Sequence, residues 1–397
     1  MLLEAKAAYE RGLALSPSHS QGYHWYALLL SRFFLYDNTE DWFRAWKRGD
    51  FIKTIERGLA VDPLSVPLHT QARFYPGFNP SPEEAMWHAR RTVEIAPDSP
   101  RGYESVGQLY WSTQGRLDEA IRWESKAARL DPKHVSFPRN IGRAYASLGD
   151  YDTALDYLAR AKQLMAPDNT AEIDDFVVLD EALTRLYAGQ EQQALDMLTA
   201  LQRSDGLRAR GTAVSFLAGR EIAAGRPDLA LARYQTYFPD CFDPEITDEE
   251  KKFCPWELMR VYQAIGDTGE SEKWQGLFLK PGYELFIKYG YPRLGNGMGI
   301  TEAAVLALEG QPEAALQVLE QAVSAGWRAF FQSWSDQDWR YYQRHDMFLD
   351  SIRDDPRFKA AFATIEADMA EQLESVREME RSGEIPEPES LADPASQ

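Results

Sequence analysis

One spacing dominates this sequence: a glycine is followed five residues later by alanine or serine, and this occurs six times. The pairs are Gly115/Ala120, Gly149/Ala154, Gly189/Ala194, Gly225/Ala230, Gly266/Ser271 and Gly310/Ala315. Successive glycines are 34, 40, 36, 41 and 44 residues apart. A period of this length is typical of stacked supersecondary units, each of which buries its apolar face against its neighbours. The pattern therefore predicts an array of repeats, a class that binds other proteins more often than it performs chemistry.

The clearest unit runs from Val135 to Pro167 and predicts two helices. The first carries an apolar face at helical spacing, made of Ile141, Ala144, Tyr145 and Leu148. Gly149 then breaks the helix, because glycine readily adopts the left-handed conformation that ends helices. The second helix turns inward Ala154, Leu155, Leu158, Ala161 and Leu164. Gly142 and Ala154 are small where two antiparallel helices would lie closest, so a larger side chain there would push the helices apart.

These residues and their counterparts along the chain resemble the tetratricopeptide repeat family. Its pattern asks for an aromatic residue, a Leu-Gly or Leu-Ala pair, Tyr, Ala, an aromatic residue, Ala and Pro at fixed offsets. The resemblance covers most of residues 1–326. It implies an all-α, right-handed superhelical solenoid of about eight antiparallel helix pairs. Two stretches depart from the pattern: an aromatic-rich insertion near residues 31–50 and a segment broken by Pro and Gly over residues 76–82.

The two ends of the sequence lead to different expectations. Residues 1–15 are typical of a second helix without its first, which suggests the C-terminal part of a longer protein, unless this helix caps its own end. After Gly326 the repeat pattern stops, and residues 327–381 are expected to form a capping region. Asp355 is a good N-cap and Pro356 suits the first helical position, so a long helix is predicted from about 356 to 381. Residues 382–397 are expected to form a disordered acidic tail.

The C-terminal end resembles a second group of proteins. Ala-Gly-Trp at 325–327, the run from Asp354 to Phe358 and the stretch 379–384 are similar to the repeat module of certain bacterial regulators. In those regulators a winged-helix or adenylate-cyclase-type output domain precedes tetratricopeptide repeats. The resemblance implies a sensory or partner-binding module, and it transfers no DNA-binding or cyclase residues to this chain.

Composition excludes some classes of partner but does not decide the cellular compartment. The formal net charge is −19, from 43 basic and 62 acidic residues. That charge argues against nucleic acid and against anionic lipid, since both ligands are held by Lys and Arg. The sequence contains no run of about 18 apolar residues, so no membrane insertion is expected. Cys241 and Cys254 are interpreted as free thiols of a cytoplasmic protein, the alternative being a disulfide in an oxidising compartment such as the periplasm.

No pattern of catalytic or metal-binding residues stands out, and no cofactor or metal is expected. The one glycine-rich loop, Gly295 to Gly299, lacks the third spaced glycine and the Lys-Ser/Thr pair of a phosphate-binding turn. The six histidines are scattered and lack the spacing of a metal motif. They are His19, His24, His69, His88, His134 and His345.

A partner is expected on the first helices of the pairs, which line the concave groove in the family. The family pattern places nine residues there: Arg101, Glu104, Gln108, Trp111, Arg139, Asn140, Arg143, Trp256 and Arg260. Arg139 and Arg143 are one helical turn apart and could together hold a carboxylate. They resemble the family's clamp for peptide C-termini, although the family uses Lys and Asn there. The alternative is ordinary: an arginine on a helix face pairs with a nearby carboxylate, and a tryptophan at helical spacing lies in the core.

The sequence thus predicts a non-catalytic scaffold for a protein or peptide with an acidic stretch or a C-terminal carboxylate. Its expected context is bacterial signalling or transcriptional regulation, as part of a larger chain. One alternative is a free-standing adaptor in the assembly of envelope or cytosolic complexes. Another is an enzyme with a site in the groove, which would need converging polar groups with perturbed pKa values. The repeat ends or the aromatic block at 327–342 could support a homodimer.

Overall fold

The structure, a computed structural model, confirms the predicted all-α class. It describes residues 2–36, 50–74, 82–165, 171–246, 254, 257–277, 298–328 and 339–388, and within these ranges the regular secondary structure is helical, with no strand. The chain forms two compact units: unit 1 is Met1–Leu109, and unit 2 contains Tyr110–Tyr291 and Gly295–Gln397. The boundary falls inside one helix, and the repeat pattern gives no sign of it.

Unit 1 is built from helices that pack on their neighbours. They are α1 (Leu2–Leu15), α2 (Ser20–Tyr36), α3 (Asp50–Val61), α4 (Val66–Phe74), α5 (Pro82–Ile95) and the start of α6 (Pro100–Gln114). Gly58 on α3 permits a close approach, because a Cβ there would lie 2.6 Å from Leu68 and 2.8 Å from Tyr23. The predicted insertion begins as a continuation of α2 to Tyr36, and residues 37–49 lie outside the described part of the chain, as do 75–81.

Unit 2 contains a series of helix hairpins. Its helices are α7 (Leu117–Leu130), α8 (Ser136–Leu148), α9 (Tyr151–Gln163), α10 (Ala171–Tyr187), α11 (Glu191–Leu201), α12 (Leu207–Ala223), α13 (Pro227–Tyr237), α14 (Leu258–Ile265), α15 (268–277), α16 (Met298–Leu308) and α17 (Pro312–Ser324). Consecutive helices such as α8 and α9, α10 and α11, and α16 and α17 pack against each other. A 3-10 turn, Pro239–Phe242, follows α13.

The six repeat glycines are the turns of these hairpins. Each has a positive φ, between 64° and 95°, a region that residues with a Cβ seldom occupy. Gly149 closes α8 by donating from its N–H to the carbonyls of Tyr145 and Ala146. The close approach predicted inside this pair is also present: a Cβ on Gly142 would lie 3.0 Å from the carbonyl oxygen of Ala154. The glycine spacing therefore marks real helix boundaries.

The segment after Gly326 returns to the first hairpins of unit 2. It contains α18 (Trp339–Arg344), a 3-10 turn at Met347–Leu349 and α19 (Pro356–Arg381). The bounds of α19 agree with those predicted, and Asp355 accepts a hydrogen bond from Arg357 N at 2.7 Å. This helix packs on α17, as a cap on the last hairpin would, and also on α7 and α8.

The returning segment satisfies helix ends that the repeats themselves leave open. Arg116, the N-cap of α7, makes no side-chain cap bond. Gln372 on α19 supplies it, accepting from Leu117 N at 2.7 Å and donating to the carbonyl of Gly115 at 2.9 Å. At the other end of a hairpin helix, Trp339 donates to the carbonyl of Ser147 at 3.1 Å. The C-terminal segment is therefore a structural part of the first hairpins as well as of the last.

The prediction that residues 382–397 are disordered is wrong for 382–388. Ile385 is only 3% exposed, and Tyr157 donates from its hydroxyl to the carbonyl of Pro386 at 2.5 Å. The acidic, proline-containing composition suggested a solvated tail. Contacts with α7 and α9, more than two hundred residues earlier, order it instead. Residues 389–397 lie outside the described part of the chain.

Candidate functional site

The predicted residues on α6 occupy different environments. Arg101 is exposed and Glu104 is half-buried, whereas Gln108 is buried and donates to Glu104 at 3.2 Å. Trp111 is only 2% exposed, which places it in the core of unit 2. Of this group, Arg101 and Glu104 present the most surface to solvent.

Arg139 and Arg143 on α8 share one carboxylate, that of Asp180 on α10. Arg139 donates from Nε to Asp180 Oδ2 at 2.5 Å, and Arg143 Nε lies 3.5 Å from Oδ1. The three side chains are largely buried, with exposed fractions of 14% for Arg139, 8% for Arg143 and 3% for Asp180. The carboxylate between the two arginines thus belongs to the neighbouring hairpin, which is the pairing that the ordinary alternative expected.

Aromatic faces and a second carboxylate border this group. The Arg139 guanidinium lies 5.0 Å from the ring centroid of Phe176, and that of Arg143 lies 5.5 Å from Trp111. Both distances are within cation–π range. Asn140, the predicted flank, is buried and donates to Glu124 at 3.3 Å. We call Arg139, Arg143, Asp180, Phe176 and Trp111 the arginine cluster.

Two predicted residues remain, Arg260 and Trp256. Arg260 on α14 is paired with Asp350 of the C-terminal segment at 3.2 Å and donates to Gln263 at 2.7 Å. Trp256 lies outside the described residues. Arg260 is therefore already engaged by the segment that returns along unit 2.

The interpretation of the two cysteines as free thiols is wrong in this structure. Cys241 and Cys254 form a disulfide, and their Cα atoms are 5.7 Å apart. That separation is in the range that a disulfide requires. A spacing of 13 residues in sequence permits many separations in space, so the sequence alone could not distinguish a closed loop from two thiols.

A buried polar group in unit 2 escaped the sequence analysis. Ser215 donates to Glu257 at 2.9 Å, and Asp346 accepts from Phe348 N at 2.8 Å. Burial raises the pKa of Asp346 to about 7, and it raises the pKa values of Tyr234 and Tyr341 well above 10. Asp346 is only 3% exposed and caps a 3-10 turn. These groups are enclosed by protein, which favours a structural role over substrate binding.

Two of the scattered histidines meet in the core of unit 1. His69 Nδ1 and His88 Nδ1 are 2.8 Å apart, and His69 Nε2 lies 3.0 Å from the carbonyl oxygen of Pro63. A carbonyl only accepts, so His69 carries its proton on Nε2, and His88 then donates from Nδ1 to His69. Burial lowers the pKa of His88 to about 4. Neither histidine belongs to a group of three or more potential metal ligands within the described residues.

Comparison with known proteins supports the repeat assignment in one stretch. The family model of the tetratricopeptide repeat matches residues 140–164, the pair formed by most of α8 and α9. No curated protein matches the sequence. This is the hairpin in which the repeat pattern is clearest, and it carries Arg143 as well as the glycine turn at Gly149.

Two solved structures are similar at low identity. One, described as the P58(IPK) TPR domain, is 12% identical over 92% of this chain and 94% of that chain, with a TM-score of 0.22. The other, Naa15/Naa10 bound to HypK-THB, is 14% identical over 94% of this chain, with a TM-score of 0.28. This chain spans 60% of the length of that second chain. The repeat assignment rests on residues 140–164 and on the hairpins themselves.

No helix within the described ranges is both long enough and apolar enough to cross a bilayer.

Proposed function

We propose that this chain is a non-catalytic scaffold that binds a protein or peptide through a carboxylate at the arginine cluster. The observation that carries the proposal is the pair of guanidinium groups, one helical turn apart, that already hold one carboxylate between aromatic faces. Arginine suits this task because its planar fork binds carboxylates with two donors.

Binding would proceed by exchange of carboxylates. Asp180 is held closely by Arg139, at 2.5 Å, and more loosely by Arg143, at 3.5 Å. A partner carboxylate would compete with Asp180 for both guanidinium groups. Asp180 pairs with the two arginines in the free chain, and by competing with the partner it lowers the affinity for any acidic partner.

Asp180→Asn tests this exchange. The amide keeps the shape and the hydrogen-bonding capacity of the side chain but removes the competing charge, so acidic partners should bind at least about threefold more tightly. The measurement is affinity capture from a lysate of the native cells, quantified by mass spectrometry. Captured proteins would then be tested as peptides with a free and an amidated C-terminus by fluorescence anisotropy.

The matched control combines Asp180→Asn with Arg139→Gln and Arg143→Gln. Removing all three charges avoids leaving a buried carboxylate unpaired, which by itself would destabilise the fold. The proposal requires that proteins enriched by Asp180→Asn are lost with this triple variant. Equal capture by the wild type and the triple variant would overturn it, as would an empty capture by Asp180→Asn.

The resemblance of residues 325–384 supports a context in bacterial signalling or transcriptional regulation, with this chain as the partner-binding module of a regulator. The disulfide favours a second candidate, an adaptor for the assembly of envelope complexes. Disulfides persist in oxidising compartments and are rare in the cytosol. Alkylation of the protein directly in native cells, followed by mass spectrometry of Cys241 and Cys254, separates the two. A protected pair indicates the envelope, and an alkylated pair indicates the cytosol.

A further inference from the structure

A stripe of positive charge runs along one face of α7, although the chain as a whole carries a net charge of −19. Arg122, Lys126 and Arg129 are four and three residues apart, so they share one side of the helix. Their ligand in this structure is the segment that follows α19. Arg122 pairs with Glu384 at 2.5 Å, and Lys126 Nζ lies 3.8 Å from the same carboxylate oxygen.

The segment 383–386 is held by its main chain as well as by its charge. Arg129 donates to the carbonyl of Gly383 at 3.0 Å, and Tyr157 on α9 donates to the carbonyl of Pro386 at 2.5 Å. Between these contacts, Ile385 is 3% exposed. A paired acid, a buried aliphatic side chain and two side-chain contacts to peptide carbonyls together resemble the recognition of a short peptide.

The chain turns away from the axis of α19 at a glycine. Gly383 has a φ of 75°, and a Cβ there would meet nothing within 4 Å. The contacts that hold α19 itself, such as Tyr145 to Glu380 at 2.7 Å and Gln372 to Leu117 at 2.7 Å, lie before this point. Release of residues 384–388 breaks the main-chain bonds from Glu384 N and Ile385 N to the carbonyl of Met379, at 2.9 and 3.3 Å, and keeps these earlier contacts of α19.

We propose that Arg122, Lys126, Arg129 and Tyr157 form a docking site for an acidic peptide of the form Glu-aliphatic-Pro. The chain's own residues 384–386 occupy this site, and a partner segment of the same chemistry binds by replacing them. The site lies on the second helices of two hairpins, and its contacts involve neither Arg139 nor Arg143. It therefore stands or falls independently of the proposed function.

The chain's own residues 384–386 compete with the partner peptide and lower its apparent affinity. A tethered peptide competes at an effective concentration on the order of millimolar. A partner peptide whose Kd for the open site is about 100 μM would therefore bind the closed chain on the order of tenfold more weakly. Opening the site is thus the change that reveals it.

The test uses the full chain with its segment disabled by Glu384→Arg and Ile385→Ser. The probe is a fluorescein-labelled peptide of residues 382–388, Ser-Gly-Glu-Ile-Pro-Glu-Pro, followed by fluorescence anisotropy. We expect the disabled chain to bind this probe in a saturable manner, at least about tenfold more tightly than the wild type. Equal affinity for the two chains would overturn the proposal, as would no saturable binding to the disabled chain.

Two controls separate a built site from general electrostatics. Adding Arg122→Glu and Lys126→Glu to the disabled chain should abolish binding, whereas Arg203→Glu and Lys359→Glu, with the same change in net charge, should leave it intact. A probe with Glu, Ile and Pro in scrambled order should bind at least about tenfold more weakly. The proposed site is rejected if the scrambled probe binds as tightly as the original probe. It is also rejected if the two charge-reversed chains bind the probe with equal affinity, because the surface then only attracts acidic peptides in general. Hydrogen exchange of α7 and α9 verifies that each variant is folded.

Discussion

The two units stabilise similar helix hairpins in different ways. In unit 1, the principal contacts that the structure describes join neighbouring helices or helices one apart, such as α2 with α3 and α2 with α4. In unit 2, the C-terminal segment adds contacts between residues more than 190 positions apart, including Gln372 with Leu117 and Trp339 with Ser147. The difference teaches that one repeat pattern can give either a locally held array or one closed by a distant segment.

The contacts of the C-terminal segment should change how cooperatively unit 2 unfolds. An array held by nearest-neighbour contacts can lose its hairpins one by one from an end. In unit 2, the first hairpins depend on a segment near the C-terminus for caps on α7 and α8. We therefore expect unit 2 to unfold more cooperatively than unit 1.

The units also bury different titratable groups. In unit 1, burial lowers the pKa values of three histidines, His24, His69 and His88. In unit 2, adjacent residues shift in opposite directions: burial lowers the pKa of His345 to about 4 and raises that of Asp346 to about 7. Both side chains of this pair are therefore neutral in the folded state between these two values.

The strongest test of the comparison is Trp339→Ala. This side chain is 1% exposed and donates to the end of α8, so its removal should destabilise unit 2 by about 3 to 5 kcal/mol. The control is Trp87→Ala in unit 1, where the side chain is 56% exposed and the cost should stay below about 1 kcal/mol. Hydrogen exchange followed by mass spectrometry should show lost protection in α7 to α9 and unchanged protection in α2 to α5. Equal loss in both units would break the comparison.

The second test is Asp346→Asn, which keeps an acceptor for Phe348 N but cannot ionise. A raised carboxyl pKa means that the folded state binds the proton more tightly than the unfolded state does. The protonated Asp346 therefore stabilises the fold fully below pH 3.8, and this contribution is lost as pH rises to about 7. The free energy of unfolding of the variant should therefore increase relative to that of the wild type as pH rises, by up to about 4 kcal/mol above pH 7.

Urea unfolding of both proteins between pH 4 and pH 8 measures this gain. Because His345 loses a proton on folding over the same range in which Asp346 takes one up, the wild-type pair should contribute little net pH dependence between pH 4 and 6.5. A constant difference between the variant and the wild type across the whole range would show that Asp346 ionises as freely in the folded chain as in the unfolded one.

The smallest expected effect is the acid response of unit 1. A lowered histidine pKa means that the unfolded state binds the proton more tightly, so stability is complete above pH 6.5 and falls as pH drops toward 4. Between pH 7 and pH 5, α4 and α5 should lose about 1 to 2 kcal/mol of protection against hydrogen exchange. The hairpin of α12 and α13 in unit 2 serves as the internal reference. If NMR titration places the pKa of His88 near 6.5, this contrast between the units does not exist.

Local rules made much of the fold predictable. The six repeat glycines, the close approach at Gly142 and the bounds of α19 from Pro356 to Arg381 all follow from backbone preferences and caps within a few residues. The class of the protein followed from the period of those signals. The boundary between the units carries no such signal, because it falls within the helix α6.

Of the arginine cluster, the sequence pattern named Arg139, Arg143 and Trp111 but neither Asp180 nor Phe176. The pattern placed Arg139 and Arg143 together, and only the packing of α10 on α8 showed that Asp180 lies between them. It likewise gave Cys241 and Cys254 without their bond, and an acidic tail without its docking surface on α7.

The sequence by itself thus determined that this chain forms helix hairpins and where they turn, because those features depend on residues within one helical turn of each other. The tertiary structure alone decided which charges pair, which thiols join and where residues 383–388 rest. Those outcomes depend on distances between residues far apart in the chain, and only the packed helices fix such distances.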